Sequence, residues 1–246
     1  MFSIFKKRAF LVNLLEGITD FHNHILPGID DGAQTLDESL ELIKAFENIG
    51  ITKFVATPHV IGEYYPNTPQ TIQSAHKKVQ DKVKPNIKIR AAAEYIMDQH
   101  FLEIIDNQDI LTVSDKNVLV EMSYFQPPIN LNEILFKLQN NSFLPILAHP
   151  ERYGYLHSKS LEKYKDLKSR GCKFQLNMLS LSGHYGESIQ KTSFKLLEED
   201  LLDFICSDVH RIDHIDKIKK IKIPKKYHDK VKILIDNNKL LFSTEN

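Results

Sequence analysis

Residues 18–32 read ITDFHNHILPGIDDG: a short β-branched run ends in His22, Asn23 and His24, and two aspartates then precede a glycine. A strand has period two, so His22 and His24 fall on one face. A lone His-x-His is as compatible with structure as with chemistry, and Asp30-Asp31 before Gly32, taken alone, reads more readily as a turn. Repetition along the chain decides between them. Short apolar or β-branched runs recur at Thr52–Thr57, Ile87–Ala93, Asn117–Glu121, Leu144–His149, Lys173–Asn177 and Asp203–Ser207, each preceded by a helical pattern. With Ile18–His22 they make seven strands in βαβ order, which predicts an α/β fold with a parallel sheet.

The helices have their own signals. Thr35 followed by Glu38 predicts a capping box, with Leu36, Leu40, Ile43 and Phe46 turned to the core and Gly50 as the stop. Further helices are expected over Thr68–Val83, Gln99–Asn107, Leu131–Asn141, Leu161–Arg170 (closed by Gly171) and Glu187–Glu199. A last one, Tyr227–Asp236, turns Val231, Leu234 and Ile235 inward.

Polar residues end the strands in turn: His22 with His24, His59, Glu94, Glu121, His149, Asn177, and Asp208 with His210. From His24 onward the spacings are 35, 35, 27, 28, 28 and 31 residues, close to the ~30 residues of one strand-helix unit in a β/α barrel. All these side chains are then expected at one mouth, where barrels carry active sites. Buried ionisable groups at that density require compensating charge, and bound cations supply it. Imidazoles and carboxylates without thiolates suit Mn, Fe or Zn better than Ca or Mg, and the ligands outnumber what one ion takes. The other histidines, at 76, 100, 157, 184, 214 and 228, are assigned to the surface, with His184 as a rim candidate.

Composition bounds the rest. The chain has 246 residues with 32 basic and 32 acidic side chains, so nothing resembles a nucleic-acid-binding stripe, and one domain over 1–246 is expected. The basic stretch Lys217–Lys226 is read as solvated surface. Cys172 and Cys206 form no disulfide framework, as in a reducing cytoplasm. Cys206 and Arg211 in CSDVHR evoke the cysteine-dependent phosphatases, but four residues separate them where that loop needs five, and Cys206 lies inside an apolar strand. The apolar run from Ala9 to Leu15, broken by Asn13, is too short for a membrane span and lacks a cleavage site. Residues 1–17 are read as a short N-terminal extension, with a peripheral amphipathic element as the other reading.

The strings DFHNHILPGIDDGAQTLDES, ITKFVATPHV, AAAEYIMD, LVEMSY, ILAHPERY, CKFQLNMLSLSG and ICSDVHR, in order over residues 20 to 211, are similar to the PHP superfamily, named for its polymerase and histidinol phosphatase members. Within it the chain resembles the bacterial manganese-dependent protein-tyrosine phosphatases of capsule and exopolysaccharide loci. The resemblance implies a distorted seven-stranded β/α barrel around three divalent ions, Mn with Fe or Zn as alternatives. It implies His22, His24, Glu94 and Asp208 on one metal, with Glu94 bridging to a second held by Glu121 and His149, and Asp31, His59 and His210 completing the third. Arg152, in HPER, matches the phosphate-contacting arginine. Some members carry a further arginine beyond the last histidine; Ile212–Lys217 has none, and Arg211 is the candidate replacement. The implied partner is a tyrosine-phosphorylated bacterial autokinase of polysaccharide assembly, which would bring this chain near the membrane.

The expected chemistry is in-line attack on phosphorus by hydroxide that the cations generate near neutral pH, with Arg152 holding non-bridging oxygens. Tyr64, Tyr65, Phe125, Tyr153 and Tyr155 are expected around the mouth, with Tyr64 and Tyr153 as contacts for an aromatic substrate ring. Three other readings stay open. A small-molecule phosphomonoesterase such as a histidinol phosphatase would use the same metals behind a different mouth. Hydrolysis at carbon, as in amidohydrolases, shares the HxH and late Asp but leaves HPER without a purpose. A metal-stabilised regulatory barrel would bind metal without turnover.

Overall fold

The computed structural model describes residues 9–243. Among them β1 (Ala9–Phe10) pairs antiparallel with β11 (Lys222–Ile223), away from the parallel strands. The first parallel group is β2 (Thr19–Asp20), β3 (Lys53–Ala56) and β5 (Lys88–Ala91). The second runs from β4 (His59–Val60) through β6 (Glu94–Ile96), β7 (Asn117–Glu121), β8 (Leu144–Ala148) and β9 (Lys173–Asn177) to β10 (Phe204–Cys206).

Two of the expected strands are interrupted. Lys53–Ala56 resumes as His59–Val60 after Thr57-Pro58, and Lys88–Ala91 resumes as Glu94–Ile96. Pro58 has no amide to donate to a ladder, yet its carbonyl accepts from Glu94 N at 3.0 Å and keeps the two halves in register. The pairings also return to their start. Asn23 bridges Val209 in parallel, Asp208 N donates to His22 O at 2.8 Å and His24 N to Val209 O at 3.0 Å. Below this bridge side chains join the first and last strands: Asp20 accepts from Ser207 N and Oγ at 2.9 and 2.6 Å.

Helices cover the outside of the strands: α1 (Leu36–Glu47), α2 (Pro69–Gln80), α3 (Gln99–Asn107), α4 (Leu131–Asn140), α5 (Glu162–Ser169), α6 (Glu187–Glu198), α7 (Ile212–Ile218) and α8 (His228–Leu241). Thr35 caps α1 by accepting from Glu38 N, but the Glu38 carboxylate takes Gln34 N rather than completing the box. The reciprocal box occurs at Thr68 and Thr71 of α2. In α1 the buried face is Ser39, Leu42, Ile43, Ala45 and Phe46. Leu36 and Leu40 are only half-buried, so the stripe is rotated from the expected one. Val231, Leu234 and Ile235 of α8 face inward as expected.

Two apolar layers result. The larger cluster, from Leu11 to Ile235, contains the apolar faces of the helices. A smaller cluster contains residues of six parallel strands or their immediate ends, Phe21, Val55, Ala92, Leu119, Ile146 and Phe204. Leu11 and Leu15 are completely buried, which corrects the reading of residues 9–17 as an extension or a membrane-facing element. Residues 1–8 of that reading lie outside the described residues. Helix α7 was not anticipated; Ile218, Ile221 and Ile223 are buried, so the 217–226 stretch is partly core. Among the described residues no helix is long and apolar enough to cross a membrane.

Asn238 of α8 spans the seam between β2 and β10, donating to Thr19 O at 3.2 Å and Ile205 O at 2.8 Å and accepting from Ile205 N at 3.1 Å. Asn238→Ala leaves these buried groups unpaired and is expected to destabilise the protein by about 2–4 kcal/mol. Urea unfolding followed by circular dichroism measures this, and a change below about 0.5 kcal/mol would mean the seam closes without the staple.

Candidate metal centre

The candidate ligands stand where the strands end, above the smaller apolar cluster. Glu121 is the last residue of β7, two positions beyond the inward Leu119, so period two sets it on the same face. His59 opens β4 and is the register partner of Glu94, which opens β6. The bridge at Asn23 and Val209 leaves His22 and His24 on either side of one residue, and Asp208 and His210 on either side of the other. His149 and Asp208 hold positive φ, 35° and 52°. This left-handed backbone is unfavourable outside glycine and bends the chain sharply at the strand end.

Glu94 lies at the centre. Its carboxylate oxygens are 3.2 Å from His22 Nε2, 3.3 Å from His149 Nε2, 3.1 Å from His59 Nδ1 and 3.5 Å from His24 Nε2. Asp208 Oδ1 is 3.3 Å from His22 Nε2 and 3.4 Å from His24 Nε2, and Glu121 is 3.0 Å from His59 Nδ1. Asp31 reaches His59 and His210 at 3.5 and 3.4 Å. Both oxygens of Glu94, with His22 Nε2, His24 Nε2 and His59 Nδ1, are buried without a partner in hydrogen-bond geometry. Such orphaned acceptors and imidazole nitrogens aimed at common points fit divalent cations.

The grouping differs from the expected division. Ligand atoms converge as His24, Asp31, His59 and His210; as His22, Glu94 and His149; as His22, His24 and Asp208; and as His59, Glu94 and Glu121. His59 offers one nitrogen to each side, Nδ1 to Glu94 and Glu121 and Nε2 to Asp31, so it joins two groups rather than one. His149 converges with His22 and Glu94, and Glu94 is also shared with Glu121.

Supporting contacts orient the rings. Gln175 Oε1 lies 2.7 Å from His22 Nδ1 and Asp30 Oδ2 lies 2.7 Å from His24 Nδ1, leaving each Nε2 for the centre. Asp30 also accepts from Gly32 N and His59 N. Gly32 is obligatory here: a Cβ would fall 2.1 Å from His24 O. Burial alone would depress the imidazoles. The carboxylates of Glu94 and Asp208 nevertheless raise His22 to about 9, and Asp30 foremost raises His24 to about 10.

Arg152 enters from the side. Its guanidinium lies 2.9 Å from Asp208 Oδ2, between the rings of Tyr124 and Tyr185 at 4.6 and 4.1 Å. Asn177 Nδ2 donates to the same oxygen at 2.8 Å. Glu151 is buried beneath, accepting from Asn177 N and Ser180 Oγ, and burial pushes it up to about 7 against these bonds. A cleft of about 470 Å³ gathers Asp31, His59, Glu121, His149, Asp208 and His210 with Arg152. A cavity of about 490 Å³ lined by Lys53, Lys88, Arg90 and Phe242 has none of the candidate ligands.

The aromatic and arginine expectations divide. Tyr64, 82% exposed, lines the cleft with Tyr65 and Phe125. Tyr153 does not: it is 0% exposed, and its hydroxyl accepts from Met122 N, so its ring is packed behind Tyr124 rather than facing a substrate. Arg211 is also displaced from the expected place. It precedes α7, lies 3.5 Å from Asp213, and lines a depression that adjoins the metal cleft at Asp31 and His210. His214, assigned to the surface, is buried, and its Nδ1 accepts from His210 N. His184 lies against Tyr185 and His214, outside the ligand groups. Cys206 is fully buried, and burial holds its thiol well above the ordinary range. Tyr124, Tyr185, Asp30 and Gln175 were missed. Gln175 alone had a clear signal, a polar residue two positions before Asn177 in an apolar strand.

The family model for capsular polysaccharide synthesis, CpsB/CapC, matches residues 18–243. The chain belongs to this family. CapC of Staphylococcus aureus is 28% identical over 236 residues, 93% of this chain and 92% of that protein. The tyrosine-protein phosphatase YwqE of Bacillus subtilis is 29% identical over 203 residues, 78% and 77% of the two chains. A solved structure from work on YwqE and Streptococcus pneumoniae CpsB, described as metal-dependent tyrosine phosphatases, superposes with a TM-score of 0.74 at 24% identity over 89% of this chain and 95% of that one. The histidinol phosphate phosphatase of Lactococcus lactis shares the fold more distantly, with a TM-score of 0.53 at 14% identity over 85% and 93% of the two chains. The resemblance drawn from the strand-end motifs and the α/β fold class are thereby borne out.

Asp30→Asn removes the anionic partner of His24 and is expected to lower cation affinity about 10–100-fold with far-UV circular dichroism retained. Calorimetric titration after chelation measures it, and unchanged affinity would remove Asp30 from the centre. Since His22 and His24 hold protons up to about pH 9 and 10, cation uptake at neutral pH must expel protons, and apparent affinity must fall as pH falls. Titrations in buffers of different ionisation enthalpy check this; identical heats in all buffers would contradict it.

Proposed function

We propose that this protein is a metal-dependent phosphatase that removes phosphate from tyrosine on a protein substrate. The observation that carries the reading is the convergence of His22, His24, His59, His149 and His210 with Asp31, Glu94, Glu121 and Asp208 around buried, unpaired carboxylate oxygens, with Arg152 beside them. Nine candidate ligands support three ions, and the imidazole-carboxylate mixture supports Mn, with Fe or Zn as alternatives. Bound divalent cations lower the pKa of water and neutralise phosphoryl oxygens.

The chain's own residues do the rest. The strand ends fix the donor groups before substrate arrives, so little reorganisation accompanies reaction. Arg152, flanked by two tyrosine rings, presents N–H donors to non-bridging oxygens, while Asp208 limits its rotation. A phenol leaving group, with a pKa of about 10, departs with far less proton assistance than an alkoxide, so the site functions without a dedicated acid. Tyr64, exposed at the rim, flanks the incoming ring. We assign residues 1–246 to a single metallophosphatase domain of the cytoplasm. Membership of a capsular polysaccharide synthesis family supports a tyrosine-phosphorylated autokinase of polysaccharide assembly as partner.

Turnover of a phosphotyrosyl peptide is expected to vanish on chelation and return with Mn, and histidinol phosphate is expected to be a poor substrate. Arg152→Ala is expected to lower kcat/KM about 10²–10³-fold with metal content unchanged. Full activity after complete metal removal would sink the mechanism, and preferential hydrolysis of histidinol phosphate would favour a small-molecule phosphatase.

A further inference from the structure

Beside the metal cleft two apolar side chains stand in solvent, Phe125 at 93% and Ile129 at 97% exposure. They belong to the segment between β7 and α4, where Pro127 and Pro128 fix the backbone and remove two donors. A second cleft of about 510 Å³ lies along this segment, with Met97, Asp98, Ile129 and Glu133 in its walls. It shares Ile96 and Ser123 with the metal cleft, so the two adjoin across these residues.

We propose that this second cleft binds the extended polypeptide flanking the phosphotyrosine, with an apolar side chain seated against Ile129. The proposal rests on the phosphatase reading and specifies its substrate. Adjacency identifies the occupant, because a chain leaving the metal cleft past Phe125 meets the second cleft at Ser123 and Gln126. Charge narrows it: Asp98 and Glu133 line the cleft and no Lys, Arg or His does, so acidic flanks are repelled and apolar or basic ones accepted. Exposed apolar side chains rimming a site are the usual mark of such recognition.

The test compares metal-loaded wild type with Ile129→Ser and Asp98→Asn on free phosphotyrosine and on peptides carrying apolar or acidic residues next to phosphotyrosine. Ile129→Ser is expected to raise KM for the apolar-flanked peptide about fivefold with kcat little changed and free phosphotyrosine hydrolysed as before. Asp98→Asn is expected to narrow the preference against acidic flanks. An unchanged KM for the peptide, or an equal loss on free phosphotyrosine, would overturn the proposal. Should wild type hydrolyse nothing, fluorescence anisotropy with the labelled, unphosphorylated apolar peptide separates the two claims. Binding weakened by Ile129→Ser would leave the cleft standing and remove the phosphatase reading; no binding would remove both.

Discussion

The structure is organised around one electrostatic constraint, the complete burial of Glu94 among four imidazoles. A carboxylate removed from water without donors is costly, and neither oxygen of Glu94 has a hydrogen-bond partner. Imidazolium rings or cations can both compensate it, and the two compete for the same ring nitrogens. The surrounding contacts bias that competition. Gln175 and Asp30 occupy the far nitrogens of His22 and His24, so each Nε2 is left facing the carboxylates. A centre built this way holds its donor atoms together against their desolvation cost only because the strands beneath are already packed.

That packing explains the interruptions in the strands. The pairing of Lys53–Ala56 with Lys88–Ala91 resumes in the same register as His59–Val60 with Glu94–Ile96, and His59 and Glu94 open the resumed segments. Because the register is unchanged across Thr57-Pro58, His59 meets Glu94 at the start of the resumed segments. The positive φ values at His149 and Asp208 do similar work at the other strand ends. Irregularity is thus concentrated where ligands must converge, while the apolar cluster of Phe21, Val55, Leu119 and Phe204 below stays regular.

The strand positions were legible because burial and period two leave a strong pattern: Asn117–Glu121 and Lys173–Asn177 coincide with the observed strands. The convergence of strand ends followed from spacing alone. What was not legible depended on side-chain direction between distant elements. Tyr153 and Tyr124 are neighbours in space and both closely follow a strand end, yet Tyr153 is buried with its hydroxyl on a backbone amide and Tyr124 lies against Arg152. No local pattern distinguishes them. The position of Arg211 was not legible either, since its direction is set by α7, whose short pattern was not read as a helix. The buried isoleucines of the basic 217–226 stretch were hidden by the lysines between them.

The two sides of the site therefore differ in how they can change. The donor atoms come from strand ends whose positions are tied to the apolar core, and shifting any one of them disturbs several contacts to Glu94 or Asp208. The substrate side is carried by the segments after β4 and β7, where Tyr64, Phe125 and Ile129 project into solvent with little packing to constrain them. Substitution there costs little stability because few buried contacts are lost. A centre fixed by the fold can thus serve different phosphorylated partners through changes confined to these loops. In this chain the exposed apolar rim beside the polar centre is the part that fits the proposed peptide substrate.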